Sequence, residues 1–176
     1  MIRPEFRKML LDQRGAAVIL WSCFMIFIVV YIVIADNVLA RPRFSQGFGF
    51  GQTMRTILWV LTVTDLGYYA WWKKRYLAPE AILRESKKTK MLRALEGHQG
   101  PLEERAASVV STYVTRKVVL FAIIEAIAVY GLVLALVGRY LSDQYVLSAL
   151  SLLLLVFEFP SEKSLQALVQ RVEVSR

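Results

Sequence analysis

The chain has very few of the residues that hold metals and cofactors. Its 176 residues include one cysteine, Cys23, and one histidine, His98. A haem inside a helix bundle needs axial ligands, and a zinc or iron–sulfur site needs several Cys or His residues at set spacings. A lone histidine in the turn "GHQGP" does not complete a Ser–His–Asp triad, and no other catalytic signature is visible. The sequence therefore predicts a protein without a metal or cofactor that is not an enzyme.

Charged residues are also scarce, at 20% of the chain, whereas 56% of the residues are hydrophobic. That composition is too apolar for a small soluble domain. The apolar runs predict a single all-α membrane domain over residues 1–176, an integral four-helix bundle with short amphipathic cytoplasmic helices. The predicted spans are residues 15–35, 56–72, 118–137 and 143–159. At 1.5 Å per residue the first and third cross a hydrocarbon core of about 30 Å, while the second and fourth need flanking residues or local thinning.

The first apolar run has an alternative interpretation as a cleaved signal peptide. Arg3, Arg7 and Lys8 precede it, and "VLA" at 38–40 resembles a small-residue cleavage site. Its apolar stretch is longer than the usual signal core. A retained helix is therefore the favoured interpretation.

Lysine and arginine are distributed unevenly between the predicted loops. Of the 22, four lie before the first span, eleven lie between Lys73 and Lys117, and three lie in the tail. The remaining four lie in the two loops on the other side of the membrane, because four crossings place both termini and the middle loop on the same side. By the positive-inside rule both termini and the long middle loop are cytoplasmic. We expect a multi-pass protein of the bacterial cytoplasmic (inner) membrane.

The formal net charge of +8 comes mostly from the Lys and Arg residues that indicate this topology. Basic residues beside membrane spans attract anionic lipid headgroups, whereas RNA-binding motifs interleave basic and aromatic residues in a way that is absent here. The partners predicted from the sequence are therefore the lipid bilayer and other membrane subunits, and not nucleic acid.

The cytoplasmic helical segment 79–117 divides at "GHQGP". Pro79 suits the first turn of a short helix lying on the surface, and Pro101 suits the start of a second helix. No breaker follows before Val118, so we expect the second helix to run unbroken into the third span. The tail after Pro160 predicts a final amphipathic helix with its apolar residues at helical spacing. These residues are Leu165, Leu168, Val169 and Val172. We expect such faces to pack on each other or on lipid.

Three carboxylates lie inside the predicted spans: Asp65, Glu125 and Glu158. A charge at the bilayer centre costs about 2.5 to 3.5 kcal/mol on insertion scales, so each carboxylate is a candidate protonatable site. Asp65 and Glu125 each lie eight residues from a cytoplasmic lysine, Lys73 and Lys117. That distance is about 12 Å by helical rise, which places the two acids at the same depth.

Asp65 has possible hydrogen-bond partners on its own helix in Thr62, Tyr68 and Tyr69. A structural hydrogen bond and a functional role are both open for it. Glu125 has no polar residue at i±3 or i±4, so its partner must come from elsewhere. The simplest arrangement places the second and third spans side by side. One acid is then protonated and donates to the other acid or to Tyr68 or Tyr69.

Glu158 lies two residues before Pro160, near the predicted cytoplasmic interface. Snorkelling is inexpensive at that depth, so a solvated side chain is the favoured expectation. Ser148 and Ser151 share its helix face and offer a protein contact as the alternative.

The stretch "AIIEAIAVYGLVLALVG" resembles the second transmembrane helix of the proteolipid, or c subunit, of rotary ATP synthases. The resemblance covers residues 101–140, because the upstream "GPLEERA" is similar in character to the polar loop before that helix. It implies that Glu125 corresponds to the ion-carrying carboxylate, with Tyr130 and Gly131 in the segment after it. A fourth span and a bulky second span favour a c-like hairpin over a ring-forming subunit.

Two functions are consistent with these residues. The first is a non-catalytic small integral membrane subunit or accessory protein of a larger membrane complex, c-subunit-like in its third helix. The alternative is a small proton-coupled four-helix transporter that uses Glu125 and Asp65.

Overall fold

The computed structural model describes residues 4–40, 51–85 and 101–174, and these residues are almost entirely helical. The helices are α1 Pro4–Leu39, α2 Gly51–Tyr76, α3 Pro79–Glu85, α4 Pro101–Gly138, α5 Leu141–Phe157 and α6 Glu162–Val174. The described part of the chain contains no strand. The predicted all-α class is confirmed.

Two of the described helices are long and apolar enough to cross a membrane. They are Arg14–Leu39 in α1 and Glu103–Gly138 in α4, which contain the first and third predicted spans. The pair α5 and α6 makes a third candidate if the two helices are counted as one span. The second and fourth predicted spans are helical, and their crossing of a membrane stays a prediction.

Helix α4 is continuous over its 38 residues, as the sequence predicts. Pro101 occupies its first position, where the missing N–H is no loss. Glu103 and Glu104 lie in the first turn, where the helix dipole favours acids. Continuity follows because no proline occurs between Pro101 and Gly138, and Gly131 is the sole glycine inside the helix.

The turn between α4 and α5 depends on Arg139, which adopts a left-handed conformation with φ 59°. Its backbone N–H donates to the Ala135 carbonyl at 3.0 Å, which is the pattern of a helix ended by a left-handed residue. A Cβ on Gly138 would lie 2.5 Å from ring atoms of Tyr140. A larger residue at position 138 would therefore require the Tyr140 ring to move.

The chain forms two compact units, which we describe separately. The first unit comprises Met1–Leu20, Trp72–Val119 and Pro160–Arg176, and the second unit comprises Trp21–Trp71 and Leu120–Phe159.

The core of the first unit joins α3, the first half of α4 and α6. Its fully or nearly buried side chains are Ile82, Ala106, Ala107, Val109, Val110, Tyr113, Leu165, Leu168, Val169 and Val172. The predicted amphipathic helix after Pro160 is confirmed, because the four apolar residues named from the sequence are its buried face. The expectation that these faces pack on each other is met for α4 and α6.

Helix α3 differs from the predicted surface-lying helix, because Ile82 is fully buried against protein. The remainder of that predicted helix, including Met91, Leu92 and Leu95, lies outside the described residues, as does the turn that contains His98.

Two ion pairs lie at the surface of the first unit. Arg14 Nη1 lies 3.3 Å from Glu162 Oε2, and the Arg14 Nε donates to the Pro160 carbonyl at 3.1 Å. Arg171 Nη1 lies 2.8 Å from Glu80 Oε1. The pKa of Glu80 is lowered from its ordinary value, first by a backbone hydrogen bond at Glu80 itself and then by Arg171. The Arg171–Glu80 ion pair joins α6 to α3.

The second unit contains segments of α1, α2, α4 and α5. A buried cluster joins Leu58 of α2 to Ile127 and Leu134 of α4 and to Leu147 of α5. Helix α1 joins through its aromatic residues: the Trp21 indole N–H donates to the Leu155 carbonyl at 2.8 Å. The outer face of α1 carries exposed apolar side chains throughout, so this unit presents a wide apolar surface.

Small residues on α4 let α5 approach closely. A Cβ on Gly131 would lie 3.0 Å from the Gln144 side-chain carbonyl oxygen and 3.2 Å from the Gln144 Cα. Ala128 and Ala135, one turn away on either side, are fully buried. Such a small-residue face is typical of helices that pack in lipid without a hydrophobic driving force.

Candidate functional site

Four carboxylates of the second unit each accept a hydrogen bond from a tyrosine on another helix. The pairs are Tyr31 with Glu125 at 2.6 Å, Tyr130 with Asp65 at 2.8 Å, Tyr69 with Glu158 at 2.7 Å and Tyr145 with Asp36 at 2.7 Å. In every pair the phenolic O–H donates and a carboxylate oxygen accepts. We call this set the tyrosine–carboxylate circuit.

The circuit is closed and runs in one direction. The tyrosine of α1 donates to the acid of α4, and the tyrosine of α4 donates to the acid of α2. The tyrosine of α2 donates to Glu158, which caps the end of α5, and the tyrosine of α5 donates to the acid of α1. Each of the four helices thus supplies one donor and one acceptor, and each is tied to two neighbours.

The four pairs do not lie in one plane. Tyr145 is in the first turns of α5 and Glu158 is at its C-cap, so they are about 20 Å apart by helical rise. The circuit therefore runs along the length of the unit, and it fixes the axial position of each helix as well as its neighbours.

Glu125 has the partner from another helix that the sequence requires. Its Oε1 accepts from the Tyr31 hydroxyl, and both side chains are partly buried. The expectation of a polar atom within hydrogen-bonding reach is met. Tyr31 itself was not identified from the sequence, because nothing local to Glu125 indicates which helix lies beside it.

Asp65 is bound differently from the sequence prediction. The second and third predicted spans are adjacent, because Asp65 accepts from Tyr130 of α4. Both alternatives predicted for the protonated acid, a bond to the other acid or a bond to Tyr68 or Tyr69, are wrong. Asp65 and Glu125 each accept from a tyrosine on another helix. An acid pair needs a shared proton to avoid like-charge repulsion, whereas a phenol donates to a carboxylate in either protonation state.

The local partners proposed for Asp65 bind other groups. The Thr62 hydroxyl donates to the Leu58 carbonyl at 2.9 Å, a back-bond within α2. The Tyr69 hydroxyl donates to Glu158. The Tyr68 ring stacks on Trp71 with centroids 5.4 Å apart.

The prediction of a solvated Glu158 is wrong. Its side chain is buried, at 3% exposure, and it accepts from Tyr69. The alternative, a protein contact on the face that carries Ser148 and Ser151, is confirmed, because both serines are fully buried. A tyrosine from α2 reaches the end of α5, so snorkelling to water is not needed.

A polar stripe lines the buried face of α5. Ser151 Oγ donates to the Ile124 carbonyl at 3.0 Å, and Gln144 Nε2 donates to Ser148 Oγ at 3.2 Å. The Gln144 carbonyl oxygen is buried without a hydrogen-bond partner, against Gly131. The stripe has the i, i+4, i+7 spacing that sequence reading can detect.

An ion pair that sequence reasoning missed joins α2 to α5. Arg55 Nε lies 2.6 Å from Asp143 Oδ2, and Arg55 Nη2 lies 3.1 Å from Oδ1. The guanidinium also lies 4.9 Å from the ring centroid of Tyr140. The hydrogen bond with Asp143, followed by its charge, raises the pKa of Arg55. The available signal was that both residues lie at span ends on the same predicted side.

The described residues contain no group of three or more His, Cys, Asp or Glu side chains placed to hold a metal ion. The circuit offers other chemistry. A carboxyl can bind and release a proton, and a phenol can donate to it in both states. The same hydrogen bonds restrain the helices mechanically.

Comparison of the chain with known protein families, characterised proteins and solved structures finds no match.

Proposed function

We propose that the protein is a multi-pass membrane protein whose second unit is a four-helix bundle, and that it acts as a non-catalytic small subunit or accessory protein of a larger membrane complex. The tyrosine–carboxylate circuit is the observation that carries this proposal. All five carboxylates in the described part of the second unit have a side-chain partner on another helix. Acids used in this way hold the helices together, which is what a structural subunit requires.

Membrane insertion is supported by the outer surfaces of α1 and α2. Ile26 and Val33 on α1 are 59% and 52% exposed, and Val60 and Val63 on α2 are 59% and 65% exposed. Apolar surface of that extent on a monomer marks a membrane or protein interface. Two helices that are long and apolar enough to cross add to this support.

The remaining features of the proposal rest on the sequence. The Lys and Arg distribution favours cytoplasmic termini in a bacterial cytoplasmic membrane. The likeness of residues 101–140 to a proteolipid favours a c-like third helix, with Glu125 bonded to α1 in place of a ring neighbour. Other membrane subunits are the proposed partners, with the outer face of α1 as their contact surface.

Site-specific photocrosslinking in native membranes tests the proposed complex. A photoreactive residue at Ile26 is exposed, whereas one at Ile28 is fully buried and serves as the matched control. We expect position 26, and not position 28, to yield a defined crosslink to a different membrane protein that also copurifies in mild detergent. A homodimer as the sole product, or no protein crosslink at position 26, contradicts the proposal.

A proton-coupled transporter is the second candidate, because Glu125 and Asp65 each keep a phenolic donor in both protonation states. Purified protein in vesicles with a pH-sensitive dye provides the test. Transporter function predicts that Glu125→Gln abolishes a proton flux that Glu80→Gln, an exposed acid outside the second unit, leaves intact. Absence of any flux in the wild type excludes this candidate.

A further inference from the structure

The last turn of α2 carries three consecutive basic residues, Lys73, Lys74 and Arg75. All three side chains are exposed. They directly follow the predicted span 56–72, so in an inserted protein they lie at the level of the lipid headgroups.

The opposite face of the same turn is fixed to α4. The Trp72 indole N–H donates to the Arg116 carbonyl at 3.4 Å, and Arg116 Nη1 donates to the Tyr76 carbonyl at 2.8 Å. The ring centroids of Trp72 and Tyr76 lie 4.4 Å apart, and the Arg116 guanidinium lies 5.5 Å from the Tyr76 ring centroid. These contacts hold one face of the turn against α4, whereas the three basic side chains are exposed.

We propose that Lys73, Lys74 and Arg75 form a binding surface for the headgroup of an anionic phospholipid, an inference that rests on the proposed membrane insertion. Three adjacent positive charges complement a phosphate that carries net negative charge. Each basic residue near an anionic membrane surface contributes attraction that decays within a Debye length. Trp72 and Tyr76 beside them are the aromatic residues typical of the membrane–water interface.

A competing explanation is that these residues only complement the negative end of the α2 dipole. The two explanations differ in their dependence on lipid. A dipole effect is the same in neutral and anionic lipid, whereas headgroup binding requires the anionic lipid.

The test uses the full chain purified in detergent and mixed with phosphatidylglycerol or phosphatidylcholine, with bound lipid counted by native mass spectrometry. We expect the wild type to retain phosphatidylglycerol preferentially. Lys74→Gln/Arg75→Gln should reduce that retention by about fivefold for each charge removed. Lys74→Arg/Arg75→Lys keeps both charges and should retain the lipid.

Three results overturn the inference: equal retention of the two lipids by the wild type, no loss in the neutralised variant, or an equal loss from Lys163→Gln, an exposed lysine of α6. The inference is also overturned if inorganic phosphate at matched ionic strength displaces phosphatidylglycerol and the protein shows no preference for the lipid over phosphate. Alkaline carbonate extraction of native membranes tests membrane insertion separately. It therefore distinguishes a failure of the lipid-binding inference from a failure of the proposed function. Protein that stays in the membrane without a lipid preference refutes this inference alone.

Discussion

The hydroxyl of Tyr31 needs an acceptor on Glu125 but does not need a charge there. Glu125→Gln keeps the side-chain shape and an acceptor oxygen, so we expect assembly and thermal stability close to the wild type. Glu125→Leu leaves the hydroxyl without a partner, and we expect a loss of about 1 to 2 kcal/mol and a lower yield of folded protein. Thermal unfolding in detergent and membrane yield measure both effects.

Tyr31→Phe removes the donor from the same pair and should lose a similar amount. Tyr140→Phe is the matched control, because its hydroxyl makes a long 3.4 Å contact with Gln52 at an exposed position. Equal yields for the Gln and Leu variants at position 125 would contradict the structural role of the pair.

The two side chains of the Arg55–Asp143 pair differ in burial, so we expect substitution of each to cost a different amount of stability. The Arg55 side chain is 41% exposed and the Asp143 side chain is 7% exposed. Arg55→Met leaves a buried carboxylate without its cation, at a cost of about 1 to 3 kcal/mol. Asp143→Asn leaves a guanidinium that water reaches, at a cost below about 1 kcal/mol. Chemical denaturation of both variants decides the order, and a larger loss in Asp143→Asn would refute it.

Single-residue reasoning from the sequence located Asp65, Glu125 and Glu158 but not their partners. The i±3 and i±4 spacings describe one helix, and none of the four tyrosines of the circuit was indicated by the sequence for the acid that it binds. Burial of Glu158 was missed for the same reason, because Tyr69 reaches it from another helix. Cross-helix register depends on packing, which a single sequence does not display.

At the scale of the helices, two glycines should respond to alanine with opposite signs. A Cβ at Gly131 meets backbone and side-chain atoms of α5 at 3.0 to 3.2 Å, so we expect Gly131→Ala to destabilise by about 1 to 3 kcal/mol. An alanine methyl group at Gly67 in α2 would have nothing within 4 Å, so Gly67→Ala should stabilise by about 0.5 to 1 kcal/mol. An unfolding midpoint that Gly131→Ala leaves unchanged or raises would refute the close approach of α4 and α5.

The helices themselves were largely predictable. Helix α4 lacks any interior breaker and α6 has a strict apolar face, and both were expected with nearly their observed bounds. The partner of the amphipathic α4 face was not predictable, because an apolar stripe indicates burial without identifying the surface that covers it. Ile82 on α3 shows this, since it is buried against protein although α3 was expected to lie on the surface.

For the whole molecule, the four-span topology predicts opposite sides for two loops. With Cys23→Ala as background, a cysteine at position 45 should react with a membrane-impermeant maleimide from outside intact cells. A cysteine at position 98 should react only after permeabilisation. Both positions lie outside the described residues, and labelling of both from one side would exclude the four-span topology.

The number of crossings was harder to derive than the fold class, for physical reasons. Helix α5 has 17 residues, or about 26 Å by helical rise, which falls short of a core of about 30 Å. Helix α2 carries Asp65 among its apolar residues and begins with the polar segment that includes Arg55. An average of hydropathy over a segment does not show that both side chains are bound by groups on other helices.

Because the tyrosine–carboxylate circuit runs in one direction, its four hydrogen bonds form together in one cyclic order of the helices. Four helices can neighbour one another in more than one cyclic order, and only the order α1, α4, α2, α5 gives every tyrosine its carboxylate. Exchange of two helices leaves phenols without acceptors and acids without donors at several places together. A bundle in which two helices have changed places therefore lacks several of these hydrogen bonds together, so the circuit favours a single cyclic order of the four helices.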